Sequence, residues 1–384
     1  MFTEDTVFIL GAGASWHYGY PTGEDLVKKI IEKAKSFADN LSENSPHPFR
    51  KDVFGSYTAK ICNEEIPPFE YSSSRNVIRN NCYLLANRLV QTNALVIDYF
   101  LSQQTDAIQE LGKFFIAWVI IECEATYFSG LNASGSNNCN RNRKIESGKA
   151  YKEYNDDWCR FLLHKIIGDC ENNESASSGG RCLSDNKVKF ITFNYDVSLE
   201  QNLLKGLQAF SDFFGQKKIE EFFSDDRFIH MYGQVRTDYF KDPTSISTKW
   251  DTAKRINPDF KAIYDASLQI RTIEGNKGED QIFDRSKNVV RNAKRIFILG
   301  FGFDDRNCER LGLSTIHDSS AGNRVDICFT NFLDSDVVNK RANRLFDLDG
   351  RFYRGGRNLY RGPWNIYERS TVDVYRALAE DFEI

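Results

Sequence analysis

The chain has 384 residues, 41% hydrophobic and 27% charged, enough for one large globular domain or two smaller ones. Its net charge of −4 argues against a surface given over to nucleic acid. Nine cysteines, none in a C-x-x-C pair, exclude a zinc ribbon and read as reduced thiols of a cytosolic protein. The acidic start, Met1-Phe-Thr-Glu-Asp5, lacks the basic opening of a secretion signal. No apolar run reaches the length of about 18 residues that a membrane span needs.

Thr6-Val-Phe-Ile-Leu10 predicts a strand that stops at Gly11-Ala-Gly-Ala-Ser15. Gly23 to Ile31 then carries Leu26, Val27 and Ile30 on one helical face. Prolines 46, 48, 67 and 68, with many serines, make 40–75 irregular. Residues 76–128 read as a long helical section, with helices over 87–104 and 105–124. Polar loops at 129–149 and 171–186 flank a helix at Trp158 to Ile167. Strands are expected at 187–193, 227–231, 294–300 and 324–330.

This alternation predicts an α/β fold, a doubly wound Rossmann-like parallel sheet. Residues 76–186 are too long for a simple crossover and read as an inserted helical subdomain. The core is then 1–75 with 187–340. The remaining 341–384 places Arg341, Arg344, Arg351, Arg354, Arg357 and Arg361 among Phe352, Tyr353, Tyr360 and Trp364. That composition fits an interface as well as a solvated basic face.

Four strand ends carry polar or glycine-rich strings. In Gly11-Ala-Gly-Ala-Ser15 the glycines let backbone amides approach a diphosphate, although the third glycine of the dinucleotide fingerprint is replaced by Trp16. A plain tight turn fits the same residues. In Thr192-Phe-Asn-Tyr-Asp196 the Asn194 amide can orient a water or a sugar hydroxyl, and Asp196 can brace the loop. Both also fit as caps of a helix beginning near Val197. His230, followed by Gly233, is a candidate general base or a hydrogen-bonded structural histidine. Gly300-Phe-Gly-Phe-Asp-Asp-Arg-Asn307 offers backbone contacts to a ribose or adenine, or a turn capped by Asp304 or Asp305.

In this order the strings resemble the sirtuin superfamily, in its bacterial sirtuin-like NADase branch. The shared features are a GAGAS-type turn followed by G-x-P at Gly19-Tyr-Pro21, T-x-N-x-D at Thr192 to Asp196, His230 ahead of Gly233, and the turn at Gly300 to Asn307. Ile97-Asp98-Tyr-Phe-Leu101 is similar to the helix that begins the insertion in that branch. The paired cysteines of the deacetylase zinc module are missing, and so is the deacetylase arginine after Pro21.

The resemblance therefore implies hydrolysis of NAD+ to nicotinamide and ADP-ribose, in the bacterial cytoplasm, as an abortive-infection effector against phage. NAD+ is the substrate and no metal is expected. Gly11, Ala12, Gly13, Ala14, Ser15, Pro21 and Thr192 would bind NAD+, with the Ala12 to Ser15 amides on its diphosphate. Asn194 would bind the ribose or the attacking water, His230 would accept a proton, and Asp196 would support the Asn194 loop. Gly300, Phe301 and Gly302 would line the adenosine side. The implied partners are further copies of the chain and a HerA-type ATPase or other phage-sensing subunit, with nucleic acid only indirectly and no membrane. An NAD+ or ADP-ribose sensor, and a deacylase or ADP-ribosyltransferase, are the alternatives.

Overall fold

Thr6–Leu10 forms β1, with every residue buried. A strand buried on both faces belongs in the middle of a parallel sheet. The computed structural model, which describes residues 1–41, 71–94, 96–132, 158–168, 183–223, 227–236, 260–271, 279–316, 325–331, 335–346 and 364–370, places it there. β1 pairs in parallel with β2 (Val188–Thr192) on one side and β4 (Arg295–Leu299) on the other. β3 (Phe228–His230) continues the sheet beyond β2, and β5 (Val325–Asn331) and β6 (Trp364–Ser370) continue it beyond β4. The order β3-β2-β1-β4-β5-β6 is that of Rossmann-like α/β proteins. The four expected strands and the first are all present. The edge strand β6 falls inside the Arg-rich segment and was not expected.

Register ties the centre together. Phe8 stands opposite Phe190 and Phe297, and Phe190 opposite Phe228. Their rings stack at 5.4, 4.9 and 4.9 Å between centroids. Such cross-strand aromatic pairs each contribute roughly 0.2–1 kcal/mol. Two residues further along, on the same face, Leu10, Thr192 and His230 stand in register. This ladder fixes where the strand ends fall relative to one another.

The first helices follow β1 directly. α1 (Ala12–Ser15) is one short turn, and α2 (Gly23–Asn40) begins at Thr22, whose hydroxyl oxygen accepts from the Asp25 amide. α3 spans Tyr71–Thr92, α4 Ile97–Ser102, α5 Asp106–Asn132 and α6 Trp158–Ile167. The single helix expected over 87–104 is thus broken. Asn93 takes a left-handed φ of 46°, a conformation that asparagine tolerates at a helix end. The apolar spacing continues through the break and conceals it. α5 also runs past its expected end, into 129–132.

α3 packs against α2 and α5, and α6 against the later helix α7 (Ser198–Gln208). Phe37 of α2 meets Phe114, Phe115 and Trp118 of α5 within 6.1 Å. The remaining helices are α8 (Ser211–Phe214), α9 (Gln216–Phe222), α10 (Phe260–Ser267), α11 (Glu279–Asn292), α12 (Asp305–Leu311) and α13 (Asp336–Leu345). No helix among the described residues is long and apolar enough to cross a membrane. Most of the irregular 40–75, the loops over 133–149 and 171–182, and Arg351 to Arg361 lie outside the described residues.

Candidate functional site

The strand order reverses between β1 and β4, and ligands of open α/β sheets bind beyond the carboxyl ends at such a switch point. A cavity of about 1080 Å³ opens there. Sites for small molecules run from roughly 300 to 1,000 Å³, so this one is at the large end. Gly11, Ala12, Gly13 and Pro21 line it from the β1 side, and Gly300, Phe301 and Gly302 from the β4 side. Asn194 and Asp196 line it from the end of β2. Ala14, Ser15, Thr192 and His230 do not reach its wall.

The two glycine turns are packed against each other. The Gly13 amide donates to the Gly300 carbonyl at 3.0 Å, and the Gly11 amide to the Leu299 carbonyl at 2.9 Å. A Cβ on Gly11 would meet the Gly300 carbonyl oxygen at 2.5 Å. One on Gly300, whose φ is +59°, would lie 2.1 Å from the Ala14 nitrogen. These glycines are therefore required by backbone-to-backbone contact. Two of the four amides expected to hold a diphosphate are already used, Gly13 on Gly300 and Ala14 on the Gly11 carbonyl at 2.9 Å. Gly302 differs, since a Cβ there would meet nothing among the described residues within 4 Å.

Asn194 joins the β2 end to the first glycine turn. Its Nδ2 donates to the Gly11 carbonyl at 3.0 Å and to Ser15 Oγ at 2.8 Å. A carbonyl only accepts, so the amide orientation is determined by its partners. Its backbone amide donates to Thr192 Oγ1 at 3.0 Å, which gives Thr192 its place in the site. Both side-chain donors are used, while Oδ1 is buried with no hydrogen-bond partner among the described residues. A buried polar atom left unpaired costs about 1–3 kcal/mol, so this one requires a reason.

Ser15 passes the connection to Asp196, donating to its Oδ1 at 3.1 Å. The same oxygen accepts from the Ser198 amide at 3.1 Å and the Ser198 hydroxyl at 2.5 Å. Burial raises the Asp196 pKa, against the downward pull of these hydrogen bonds. Asp196 braces both the β1 turn and the start of α7. Trp158 of α6 adds a further tie, its indole donating to the Ala14 carbonyl at 2.9 Å.

His230 is held at both ring nitrogens. Nδ1 lies 3.2 Å from the Asn194 carbonyl oxygen and Nε2 2.5 Å from Glu200 Oε1. A neutral imidazole carries only one N–H, whereas both contacts here are to acceptors. Burial disfavours the charged ring, but the Glu200 carboxylate and these hydrogen bonds outweigh it, and the pKa rises. Two acceptors at the two ring nitrogens favour the protonated ring beside Glu200, and the contact of His230 with the site runs through the Asn194 backbone.

One group of wall residues was not anticipated as functional. Asp98 of α4 lines the cavity and accepts from the Tyr195 hydroxyl. Tyr232, just after β3, donates to Asn307 Oδ1 and accepts from Arg310 at 3.1 Å. Arg306 lies over the Tyr99 ring at 3.5 Å, and Arg341 donates to the Gly302 carbonyl at 2.8 Å. Arg341 and Arg344, read from sequence within the basic segment, hold α13 to the 302–305 turn, the second through Asp305 at 2.7 Å. The one sequence signal for Asp98 was its place in Ile97-Asp98-Tyr-Phe-Leu101. Comparison with family models, curated proteins and solved structures finds no match to this chain.

Proposed function

We propose that this protein hydrolyses NAD+ to nicotinamide and ADP-ribose, with Asn194 as the residue that orients the sugar or the attacking water. The observation that carries the proposal is the unpartnered Asn194 Oδ1, in a residue that lines a switch-point cavity between two glycine turns. Cleavage of an N-glycosidic bond passes through an oxocarbenium-like sugar, as in glycoside hydrolysis. Nicotinamide leaves as a neutral molecule, so its exit needs little acid catalysis. The main tasks are to hold the substrate and aim a water. An amide fixed through both of its donors holds its buried acceptor in one direction, and a ribose hydroxyl or a water that reaches it when substrate binds is the complementary donor.

In this scheme His230 is a positioning residue, holding the Asn194 carbonyl while Glu200 holds the ring. Asp196 sets the loop through Ser15 and Ser198. Gly302 and Phe301 receive the adenosine side. The sequence motifs extend the proposal to a sirtuin-like fold with an inserted helical unit. They also extend it to a role in defence against phage, alongside a HerA-type ATPase or another phage-sensing subunit.

A second reading has one observation in its favour. With His230 engaged at both nitrogens and away from the wall, the cavity also suits a non-catalytic sensor of NAD+ or ADP-ribose. One assay separates these. The protein is incubated with NAD+, with and without an acylated peptide, and nicotinamide, ADP-ribose and acyl transfer are quantified. Hydrolysis without peptide supports the proposal. Tight NAD+ binding without nicotinamide release indicates the sensor, and peptide-dependent release indicates a deacylase.

A further inference from the structure

Hydrolysis is helped by a group that takes the proton of the attacking water, and His230 is off the cavity wall with both ring nitrogens engaged by Asn194 and Glu200. Among the described residues that line the cavity, the carboxyl groups are Asp98, Asp196 and Asp304. Asp196 Oδ1 accepts three hydrogen bonds from Ser15 and Ser198. Asp304 caps α12, its Oδ1 accepting from the Asn307 amide at 3.2 Å. Asp98 caps no helix, and its carboxyl accepts from the Tyr195 hydroxyl and from its own backbone amide. Tyr195 sits between Asn194 and Asp196, so α4 brings this carboxyl to the loop that carries the proposed water-orienting residue.

Resting on the hydrolase reading, we propose that Asp98 is the catalytic base, taking a proton from the water that attacks the sugar. The C1′–N bond breaks with its electron pair passing to the ring nitrogen, so neutral nicotinamide leaves and the sugar becomes cationic. The water oxygen bonds to C1′ and one water proton passes to the Asp98 carboxylate. ADP-ribose departs, and the protonated carboxyl returns its proton to solvent. A carboxylate at this wall also favours the cationic sugar and accepts from hydroxyl groups, while it repels phosphate. It therefore matches the nicotinamide-riboside half of the substrate and leaves the diphosphate to the other end of the cavity.

The surroundings suit a base that works near neutral pH. Asp98 is 7% exposed, and burial pushes its carboxyl up to about 7. Its own backbone amide and Arg310 of α12 pull it down, and Asp304 raises it. The Tyr195 hydroxyl donates to it from the end of β2, and Tyr232, just after β3, is close enough to feel its charge. Arg306 is stacked on its neighbour Tyr99. General bases are most effective when their pKa lies near the working pH.

The test is the pH–rate profile of nicotinamide release by wild type, Asp98→Asn and Tyr195→Phe, with ADP-ribose affinity measured by calorimetry. Asn keeps an acceptor for Tyr195 but cannot take a proton. The expected result for Asp98→Asn is a loss in turnover of about 10²- to 10⁴-fold with the acid limb abolished. ADP-ribose affinity should stay within about threefold. Tyr195→Phe removes a hydrogen bond to the charged carboxylate, so its acid limb should move to higher pH.

Stability gives a readout independent of turnover. With its folded pKa raised, Asp98 makes wild type progressively less stable as pH rises from the ordinary carboxyl range through about 7. Asp98→Asn should therefore be more stable relative to wild type at pH 8 than at pH 4. An active wild type with an equally active Asp98→Asn and an unchanged acid limb overturns the role of Asp98 alone. A wild type that releases no nicotinamide overturns the hydrolase reading, and this assignment with it.

Discussion

The carboxyl ends of β2 and β3 are neighbours in the sheet, joined by the Met231 amide donating to the Thr192 carbonyl at 2.9 Å. Each ends in a polar residue of the kind that active sites use. At β2, Asn194 lines the cavity, spends its donors on the adjoining turn and keeps an unpaired acceptor. At β3, His230 is off the wall with both nitrogens engaged. A residue type at a strand end therefore says little about its job. What separates the two is which polar atoms remain unsatisfied. The same contrast holds for the glycines, since Gly300 is closed in by the facing turn and Gly302 has open space around it.

The largest effect that sharpens this contrast is on turnover. Asn194→Ala should lower nicotinamide release by at least about 10²-fold, the scale of a lost oriented hydrogen bond at a reacting centre. Asn194→Asp tests the donors separately. It sets a carboxylate against the Gly11 carbonyl, so it should unfold at lower temperature than Asn194→Ala.

His230→Ala should show chiefly as instability. It leaves the Glu200 carboxylate buried without its cation, which costs about 3–5 kcal/mol in denaturant titrations. The raised folded pKa adds a pH dependence. The stabilising contribution of His230 is complete below its ordinary value of 6.5 and is lost as pH rises through the higher folded value. The gap between wild type and His230→Ala should accordingly narrow from pH 6 to pH 9. A constant gap would show that the ring is not charged.

Smaller effects follow at the glycines. Gly300→Ala, with a left-handed φ and a backbone clash, should cost about 1–3 kcal/mol or more by thermal melting. Gly302→Ala should cost less than about 1 kcal/mol while reducing ADP-ribose affinity by narrowing the cavity. Equal melting temperatures for the two variants would break the distinction between the packed and the open turn.

The parts of the molecule that were legible in the sequence are those written locally. β1 and β4 are apolar runs stopped by glycine, and the Thr192 to Asp196 string announces its polar end. Other features depend on residues far apart in the chain. Ser15 and Asn194 are 179 positions apart, and Tyr195 and Asp98 are 97 apart. No spacing shows that His230 will meet Glu200, or that Gly11 and Gly13 will be pressed against Gly300. The break at Asn93 was hidden because apolar residues continue on both sides. β6 was hidden because Trp364–Ser370 was grouped with its arginine-rich neighbours, whereas pairing with β5 decides its conformation.

The central claim is that the unpaired acceptor of Asn194 serves the cleavage of NAD+. It is tested most directly by chromatographic measurement of nicotinamide and ADP-ribose formed from NAD+ by wild type and Asn194→Ala, both verified as folded by circular dichroism. The account predicts equimolar products from wild type and, by the scale above, about 1% or less of that rate from the variant. Equal rates from the two folded proteins would contradict it.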